Sequence, residues 1–303
     1  MIGFQCSATI SQPCIGRTLF PSAPTHQPSN GFHTRPAIPS SNLVEYFPVN
    51  GDGLRLSWAH AANTRSKLTQ ALRGDELMIE ADVSLAETTR YPVPIMAHPP
   101  LNMSDMTLED WLVEVVRSNS GKGIKLDFKT TRVVEPAFRV LARHVDYIKG
   151  PIILNADILP GPNKPTTSPV DIWTFLILCK TRFPKAIISI GWTTLVDEMS
   201  VKTGYTRDMV DHMASLVKEY NLSQPLTFAV NASLLKYSIC ELQRLLFQVP
   251  NSTLTVWAHP HEFESNLTLH DLMLIRKSFS MSSVFYDMPS DILNQLRVEI
   301  YNN

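Results

Sequence analysis

The run MIEADV at residues 78–83 reads as a buried β-strand that carries two acidic side chains. Alternation along a strand sends Glu80 and Asp82 to the same side. Two carboxylates crowded into a core repel each other, and burying their charge is costly unless a cation lies between them. This stretch therefore leads us to expect a cation beside the strand, and a function that needs one.

Around this run, β-rich stretches alternate with amphipathic patterns of helical period from residue 54 onward. In TLEDWLVEVVRSN, for example, Thr107 is a predicted helix N-cap with Asp110 three residues later. The predicted strands cover residues 54–60, 77–83, 123–129, 151–157, 186–192, 226–232, 254–259 and 283–287. Eight strands, each followed by a helix over about 250 residues, predict an α/β fold of the (β/α)₈ TIM-barrel type. A doubly wound open sheet would more often stop at fewer strands.

Bulk composition limits the classes of function. The chain has 303 residues, a formal net charge of −1 and 44% hydrophobic residues, with its basic residues scattered along the sequence. That distribution argues against nucleic acid as a partner. There is no apolar run long enough for a transmembrane segment or a secretory signal, so we expect a soluble protein, cytoplasmic rather than secreted. Cys179 and Cys240 fall on apolar helix faces and are predicted core thiols.

The first 44 residues differ in composition from the rest. They contain six prolines and no acidic residue, and they show no apolar periodicity. This composition is typical of disorder, so we predict a disordered N-terminal segment over 1–44 and a barrel domain over 45–303. Apolar content returns near Leu43–Phe47, where the chain is expected to cover or flank the bottom of the barrel.

Polar residues that a core should not contain fall at the predicted carboxyl ends of the strands, where a TIM barrel carries its active site. The predicted set is His60, Glu80, Asp82, Asp127, Lys129, Asn155, Trp192 and Trp257. A further short apolar run, YPVPIMAHPP at 91–100, ends near His98 and could fold back over the same mouth. Each of these residues has an ordinary structural explanation, and only their convergence favours a site.

The residue types in this set suit phosphoryl chemistry. The carboxylates of Glu80, Asp82 and Asp127 form an oxygen-rich pocket for a divalent metal, Mg²⁺ or Ca²⁺. Two histidines beside it, His60 and His98, can serve as general base and general acid. Lys129 would stabilise charge on the phosphate oxygens, and Asn155, Trp192 and Trp257 are candidate substrate-binding residues.

The runs SWAHAAN, MIEADV, PIMAHPP, GIKLDFK, LNADILPGPN and GWTT, with VFYD near the end, resemble the menorin family. That resemblance implies a phospholipase-C-like barrel related to the glycerophosphodiester phosphodiesterases. It assigns His60 and His98 to the catalytic pair and Glu80 with Asp82 to a Glu-x-Asp metal pair. Asp127 and Lys129 match a Glu-x-Lys motif, with aspartate as the ligand. Trp257 resembles a tryptophan near the substrate alcohol.

Two departures from the phosphodiesterases leave the substrate open. Ala61-Ala62 follows the first histidine in place of Arg-Gly, and Pro99 follows His98 in place of aspartate. The leading hypothesis is a metal-dependent phosphodiesterase acting on a phosphodiester small molecule or a lipid-derived head group. A non-catalytic binding or adhesion module with a protein partner is the alternative, since some menorin-like proteins act as extracellular partners. A glycosidase fits less well, because Glu80 and Asp82 share one strand.

Overall fold

The computed structural model describes residues 42–86, 91–196, 203–259 and 262–301. The N-terminal segment predicted over 1–44 lies outside this range up to residue 41, but its last residues are ordered, because Leu43 and Val44 begin a short helix in which Leu43 is buried. The described strands are β1 (Trp58–Ala59), β2 (Met78–Leu85), β3 (Pro94–Met96), β4 (Gly123–Phe128), β5 (Ile152–Pro160), β6 (Ile187–Thr193), β7 (Leu226–Asn231), β8 (Thr253–Trp257) and β9 (Val284–Asp287).

The helices lie between the strands. They are α1 (Leu43–Tyr46), α2 (Arg65–Arg73), α3 (Leu108–Ser118), α4 (Thr131–Ala142), α5 (Ile172–Arg182), α6 (Arg207–Glu219), α7 (Ala232–Leu235), α8 (Ile239–Gln248), α9 (Glu262–Ser265), α10 (Leu269–Ser278) and α11 (Ser290–Tyr301). Within the described ranges, none of them is long and apolar enough to span a membrane.

The sheet is a nearly closed parallel barrel. In the part of the chain that the structure describes, eight parallel strands follow the order β1-β2-β4-β5-β6-β7-β8-β9, and β3 pairs antiparallel with β2. The first and last strands of this order are joined at their carboxyl ends, where His60 Nδ1 lies 2.9 Å from Asp287 Oδ1. The predicted eight-stranded α/β barrel is confirmed at this level.

Strand alternation divides the barrel interior into layers. Near the amino ends of the strands the layer is apolar, and Leu43, Phe47 and Val49 cover it from below. The inward side chains of this layer are Trp58, Met78, Ile153, Ile187 and Phe285. Two residues further along each strand the inward side chains become polar, and they include Glu80, Lys125, Asn155, Ser189 and Asp287. The 43–49 stretch therefore flanks the bottom of the barrel, one of the two arrangements that the sequence predicted for it, and the polar layers face the mouth.

A buried ion pair ties the beginning of the fold to its end. Asp52 accepts a hydrogen bond from Arg276 on α10 at 2.7 Å and another from the Tyr301 hydroxyl on α11 at 2.6 Å. Both partners of the ion pair are more than 90% buried, with 4% exposure at Asp52 and 7% at Arg276. Such a pair strongly favours this docking of α10 and α11, because breaking it would leave an uncompensated buried charge.

Two local predictions are corrected. The first strand is shorter than the predicted 54–60, because Gly53–Arg55 form a 3₁₀ turn that Asp52 caps with its side chain. Cys179 is buried as predicted, whereas Cys240 is exposed. Cys240 lies in the first turn of α8, off the face through which Leu242 and Leu245 are buried.

Candidate active site at the barrel mouth

Three carboxylates from neighbouring strands meet at the mouth. Strand pairing aligns Asp82 on β2 directly with Asp127 on β4, and Glu80 lies one inward position below Asp82. One oxygen from each of the three carboxylates lies within 4.8 Å of the others. Glu80 and Asp82 are 2% and 5% exposed, so their charges are held out of water. This cluster could hold a divalent cation, since hard oxygen ligands are those that Mg²⁺ and Ca²⁺ prefer.

The cation that lies between two of these carboxylates in the structure is an ammonium group. Lys129 Nζ is 2.8 Å from Asp82 Oδ1 and 2.5 Å from Asp127 Oδ2. The other oxygen of each aspartate accepts a hydrogen bond from an amide, Asn63 Nδ2 at 2.6 Å on Asp82 and Asn155 Nδ2 at 2.7 Å on Asp127. Each oxygen of the two aspartates therefore has a polar partner, and these contacts fix both side chains in orientation.

Electrostatics separate Glu80 from its neighbour. Burial and the charge of Asp82 raise the pKa of Glu80 to about 7, although His60 and Lys125 oppose the shift. Burial would also raise the pKa of Asp82, but Lys129 and the Asn63 hydrogen bond hold it below its ordinary value. Glu80 thus has a weaker cationic environment than Asp82, and its ionised form would gain most from a further cation.

His60 belongs to a buried charge network on the other side of Glu80. Its Nδ1 lies 2.9 Å from Asp287 Oδ1 and 3.4 Å from Glu80 Oε2. Asp287 is fully buried and also accepts a 2.7 Å hydrogen bond from Lys125 Nζ. Burial alone would lower the pKa of His60, but the charges of Asp287 and Glu80 raise it to about 9. The ring is therefore held in its cationic form, with Nδ1–H donating to Asp287.

His98 lies in an exposed turn after β3. Its Nδ1 is 2.6 Å from the Pro99 carbonyl oxygen. A carbonyl oxygen only accepts, so Nδ1 carries the hydrogen and the neutral ring keeps a lone pair on Nε2. Within the described ranges, the clusters in which His, Asp and Glu ligand atoms lie within 4.8 Å of one another include His60 but not His98.

The two predicted substrate-binding tryptophans have different positions. Trp257 ends β8, is partly buried on the inward side, and packs edge-on against His259 with ring centroids 5.2 Å apart. Trp192 points to the opposite face of β6 from Ser189 and is 1% exposed. Its ring packs on Tyr205, with centroids 4.9 Å apart. The structure thus brings Trp257, but not Trp192, to the interior of the mouth.

Comparison with known proteins identifies the family. A sequence model of the Menorin N-terminal domain matches residues 52–293. Protein FAM151B from Homo sapiens is 42% identical over 255 residues, which cover 82% of this chain and 90% of that protein. The chain belongs to the menorin family.

Solved structures resemble this menorin-family chain only in fold. A 2,3-dimethylmalate lyase of the PEP mutase/isocitrate lyase superfamily is 9% identical, with a TM-score of 0.42 over 84% of this chain and 82% of its own. The Escherichia coli homocysteine methyltransferase MmuM is 14% identical, with a TM-score of 0.41 over 77% of this chain and 85% of its own. At these scores neither likeness supports a statement about activity.

Sequence reasoning missed three residues at the mouth of this menorin-family barrel. Lys125 and Asp287 form a buried pair, and Asn63 both donates to Asp82 Oδ2 and accepts from its backbone N–H at 2.8 Å. Alternation could have found Lys125, which shares the inward face of β4 with Asp127. Asp287 required knowledge that β9 closes against β1, which local sequence does not carry.

Proposed function

We propose that this protein is a metal-dependent phosphodiesterase that uses His60 and His98 as its proton-transfer pair. The observation that carries the proposal is the meeting of the Glu80, Asp82 and Asp127 carboxylates beside the His60–Asp287 pair. The family resemblance to phospholipase-C-like barrels and glycerophosphodiester phosphodiesterases is consistent with the same residues in the same roles. The proposed substrates are small phosphodiesters or lipid-derived head groups.

The carboxylate cluster fits a divalent cation by its donor chemistry. Glu80, Asp82 and Asp127 would hold Mg²⁺ or Ca²⁺, and such an ion would oppose the burial and the Asp82 charge that raise the pKa of Glu80. When bound, such an ion supplies positive charge that stabilises the charge growing on the phosphoryl oxygens.

The two histidines are suited to opposite proton transfers. His98, with its hydrogen on Nδ1, can accept the proton of an attacking water through Nε2 as the water oxygen bonds to phosphorus. His60 is held as a cation by Asp287 and Glu80, so it can donate a proton to the alcohol oxygen as the phosphorus–oxygen bond breaks. The products are an alcohol and a phosphomonoester. The oxygen of the attacking water stays on phosphorus, His98 takes its proton, and the alcohol receives a proton from His60.

Residues around the mouth would position the substrate. Lys129 and Asn155 lie against Asp127, and Trp257 supplies a partly buried aromatic face on the opposite side of the barrel. A cationic side chain and an aromatic surface are the groups expected to bind a phosphate and its organic alcohol.

The test is metal-dependent hydrolysis of bis(4-nitrophenyl) phosphate and of glycerophosphodiesters. His60→Ala and His98→Ala should each lower turnover by roughly 10²–10⁴-fold while the circular dichroism spectrum is unchanged. Asp82→Asn should also abolish most of the rise in melting temperature that Mg²⁺ or Ca²⁺ produces by binding the folded state. Asp211→Asn is the matched control, because Asp211 is an α6 carboxylate, 42% exposed and paired with Arg244.

Near-normal rates in both histidine variants would remove them from the mechanism. A wild-type protein that is stabilised by metal but hydrolyses no phosphodiester would instead favour the binding-module alternative.

A further inference from the structure

Lys129 places its ammonium group between two of the three carboxylates that could hold a divalent ion. It follows β4 directly, and its backbone N–H donates to the Val83 carbonyl at 3.1 Å, so the base of the side chain is fixed to the barrel. Its ammonium group bridges Asp82 Oδ1 and Asp127 Oδ2 at 2.8 and 2.5 Å. Four methylene groups separate this fixed base from a mobile charged end.

The remaining oxygens of the two aspartates are also occupied. Asn63 and Asn155 donate to Asp82 Oδ2 and Asp127 Oδ1, so the two oxygens without an amide donor are the ones that Lys129 contacts. An ion at coordination distance from those oxygens would lie within a few ångströms of the ammonium group. Two cations at that separation repel strongly in a site shielded from water.

Lys129 also has a path out of the cluster. Its side chain is 19% exposed, whereas Lys125, which pairs with Asp287 deeper in the barrel, is 4% exposed. The Lys129 side chain thus lies closer to solvent than that of Lys125, as displacement of its ammonium group towards the mouth requires.

We propose that Lys129 is an internal counter-ion that holds Asp82 and Asp127 together and is displaced towards the mouth when a divalent cation binds. This inference rests on the metal site of the proposed function and adds a control of its occupancy. The displaced ammonium group lies where an anionic substrate enters. Metal binding therefore also exposes the Lys129 ammonium group to the anion. Metal would then bind before the phosphodiester.

The test combines metal titration with chemical labelling of the full chain. Calorimetric titration with Mg²⁺ or Ca²⁺ alone should show binding about tenfold or more tighter in Lys129→Met than in the wild type, because a competing positive charge is removed. In the wild type, acetylation of Lys129 by an amine-reactive ester, quantified by mass spectrometry, should increase severalfold when the metal is added.

Lys236 is the matched control for both measurements. It is a half-buried lysine, 13% exposed, whose ammonium group pairs with Asp271 at 3.1 Å. Lys236→Met should leave metal affinity unchanged, and acetylation of Lys236 should not respond to metal. Because labelling uses the wild type, the test stands even if Lys129→Met fails to fold.

The outcomes separate this inference from the proposed function. Metal binding by the wild type without any change in Lys129 labelling would overturn displacement and leave the metal site intact. Weaker binding by Lys129→Met would also overturn it, since the lysine would then help to hold the ion. Binding by Lys129→Met alone would overturn displacement, because the ammonium group would then exclude the ion, and would also contradict a metal-dependent wild type. If neither protein binds metal, both proposals fail.

Discussion

Burial and a neighbouring charge alter the pKa of Asp157, a carboxyl group at the mouth. It lies two residues beyond Asn155 on β5, so both side chains face the barrel interior. Its partner across the sheet is Gly191, where a Cβ atom would come within 2.6 Å of Asp157 Oδ1. Burial and the charge of Asp127 raise the pKa of Asp157 to about 7. The carboxyl group thus fits the barrel better when it is protonated.

This shift predicts a pH-dependent penalty that Asp157→Asn removes. The folded-state pKa of about 7 exceeds the unfolded value near 3.8, so folding takes up a proton between these limits. Proton binding by Asp157 therefore favours the folded wild type at low pH. The free energy of unfolding should fall as pH rises from about 4 to 7, because this favourable contribution is lost. Asp157→Asn should be more stable than the wild type by about 1–3 kcal/mol at pH 8 and lose that advantage below pH 4.

Urea unfolding across this pH range measures the difference. Asp291→Asn, in the exposed first turn of α11, is the control and should follow the wild-type curve. Parallel curves for Asp157→Asn and the wild type would contradict the assigned environment of Asp157.

Strand alternation alone indicated which acidic side chains would lie together at the mouth. Glu80, Asp82 and Asp127 could be expected to converge, because neighbouring parallel strands end at the same edge. The bridging position of Lys129 and the hydrogen bond from Asn63 depend on side-chain packing across loops. Trp192 was misleading because it lies next to inward-facing Gly191 on β6 and therefore points outward.

Among the elements, α3 begins as its sequence predicted. Thr107 accepts a hydrogen bond from the Asp110 backbone N–H at 3.1 Å, and the Asp110 side chain accepts one from the Thr107 backbone. This reciprocal capping box satisfies two backbone donors that a helix start otherwise leaves without partners. The neighbouring helix α4 has Thr130 as its N-cap, and the Thr130 side chain makes no capping hydrogen bond.

The contrast between these helices gives a matched pair of variants. Thr107→Ala should lower the free energy of unfolding by about 1 kcal/mol, because the cap hydrogen bond is lost. Thr130→Ala removes the same atoms from an N-cap without that bond and should change it by less than about 0.5 kcal/mol. Chemical denaturation of the two variants compares them directly, and equal losses would show that the cap bond at α3 contributes nothing specific.

At this scale the sequence predicted the strands well but not all of their limits. Apolar runs of β-branched residues located β2, β4, β5 and β6, which are buried on both faces. β1 is only two residues long because Asp52 caps a turn at Gly53–Arg55, and this depends on its ion pair with Arg276 far along the chain. Long-range contacts of this kind leave no periodic signal.

At the scale of the whole molecule, the barrel needs a cover at the end opposite its mouth. The 42–49 stretch supplies it: Leu43, Phe47 and Val49 are 2%, 7% and 2% exposed and pack beneath the apolar interior layer. Asn42 caps the short helix α1 that carries this cover, through its side chain and the Val44 backbone N–H. This stretch therefore buries the apolar layer at the end of the barrel opposite the polar layers and the mouth.

Two truncations separate this cover from the residues before it. Deleting residues 1–40 should leave the melting temperature and metal response essentially unchanged, because that stretch is proline-rich and without apolar periodicity, and α1 with its Asn42 cap is retained. Deleting residues 1–49 also removes three buried apolar side chains and should lower the free energy of unfolding by on the order of 5 kcal/mol.

Calorimetry of both truncated proteins, with limited proteolysis of the full chain, tests the two expectations. Early cleavage should fall before residue 42 and leave a resistant fragment that reaches the C-terminus. Loss of cooperative unfolding on deletion of residues 1–40 would show that the first residues belong to the folded unit.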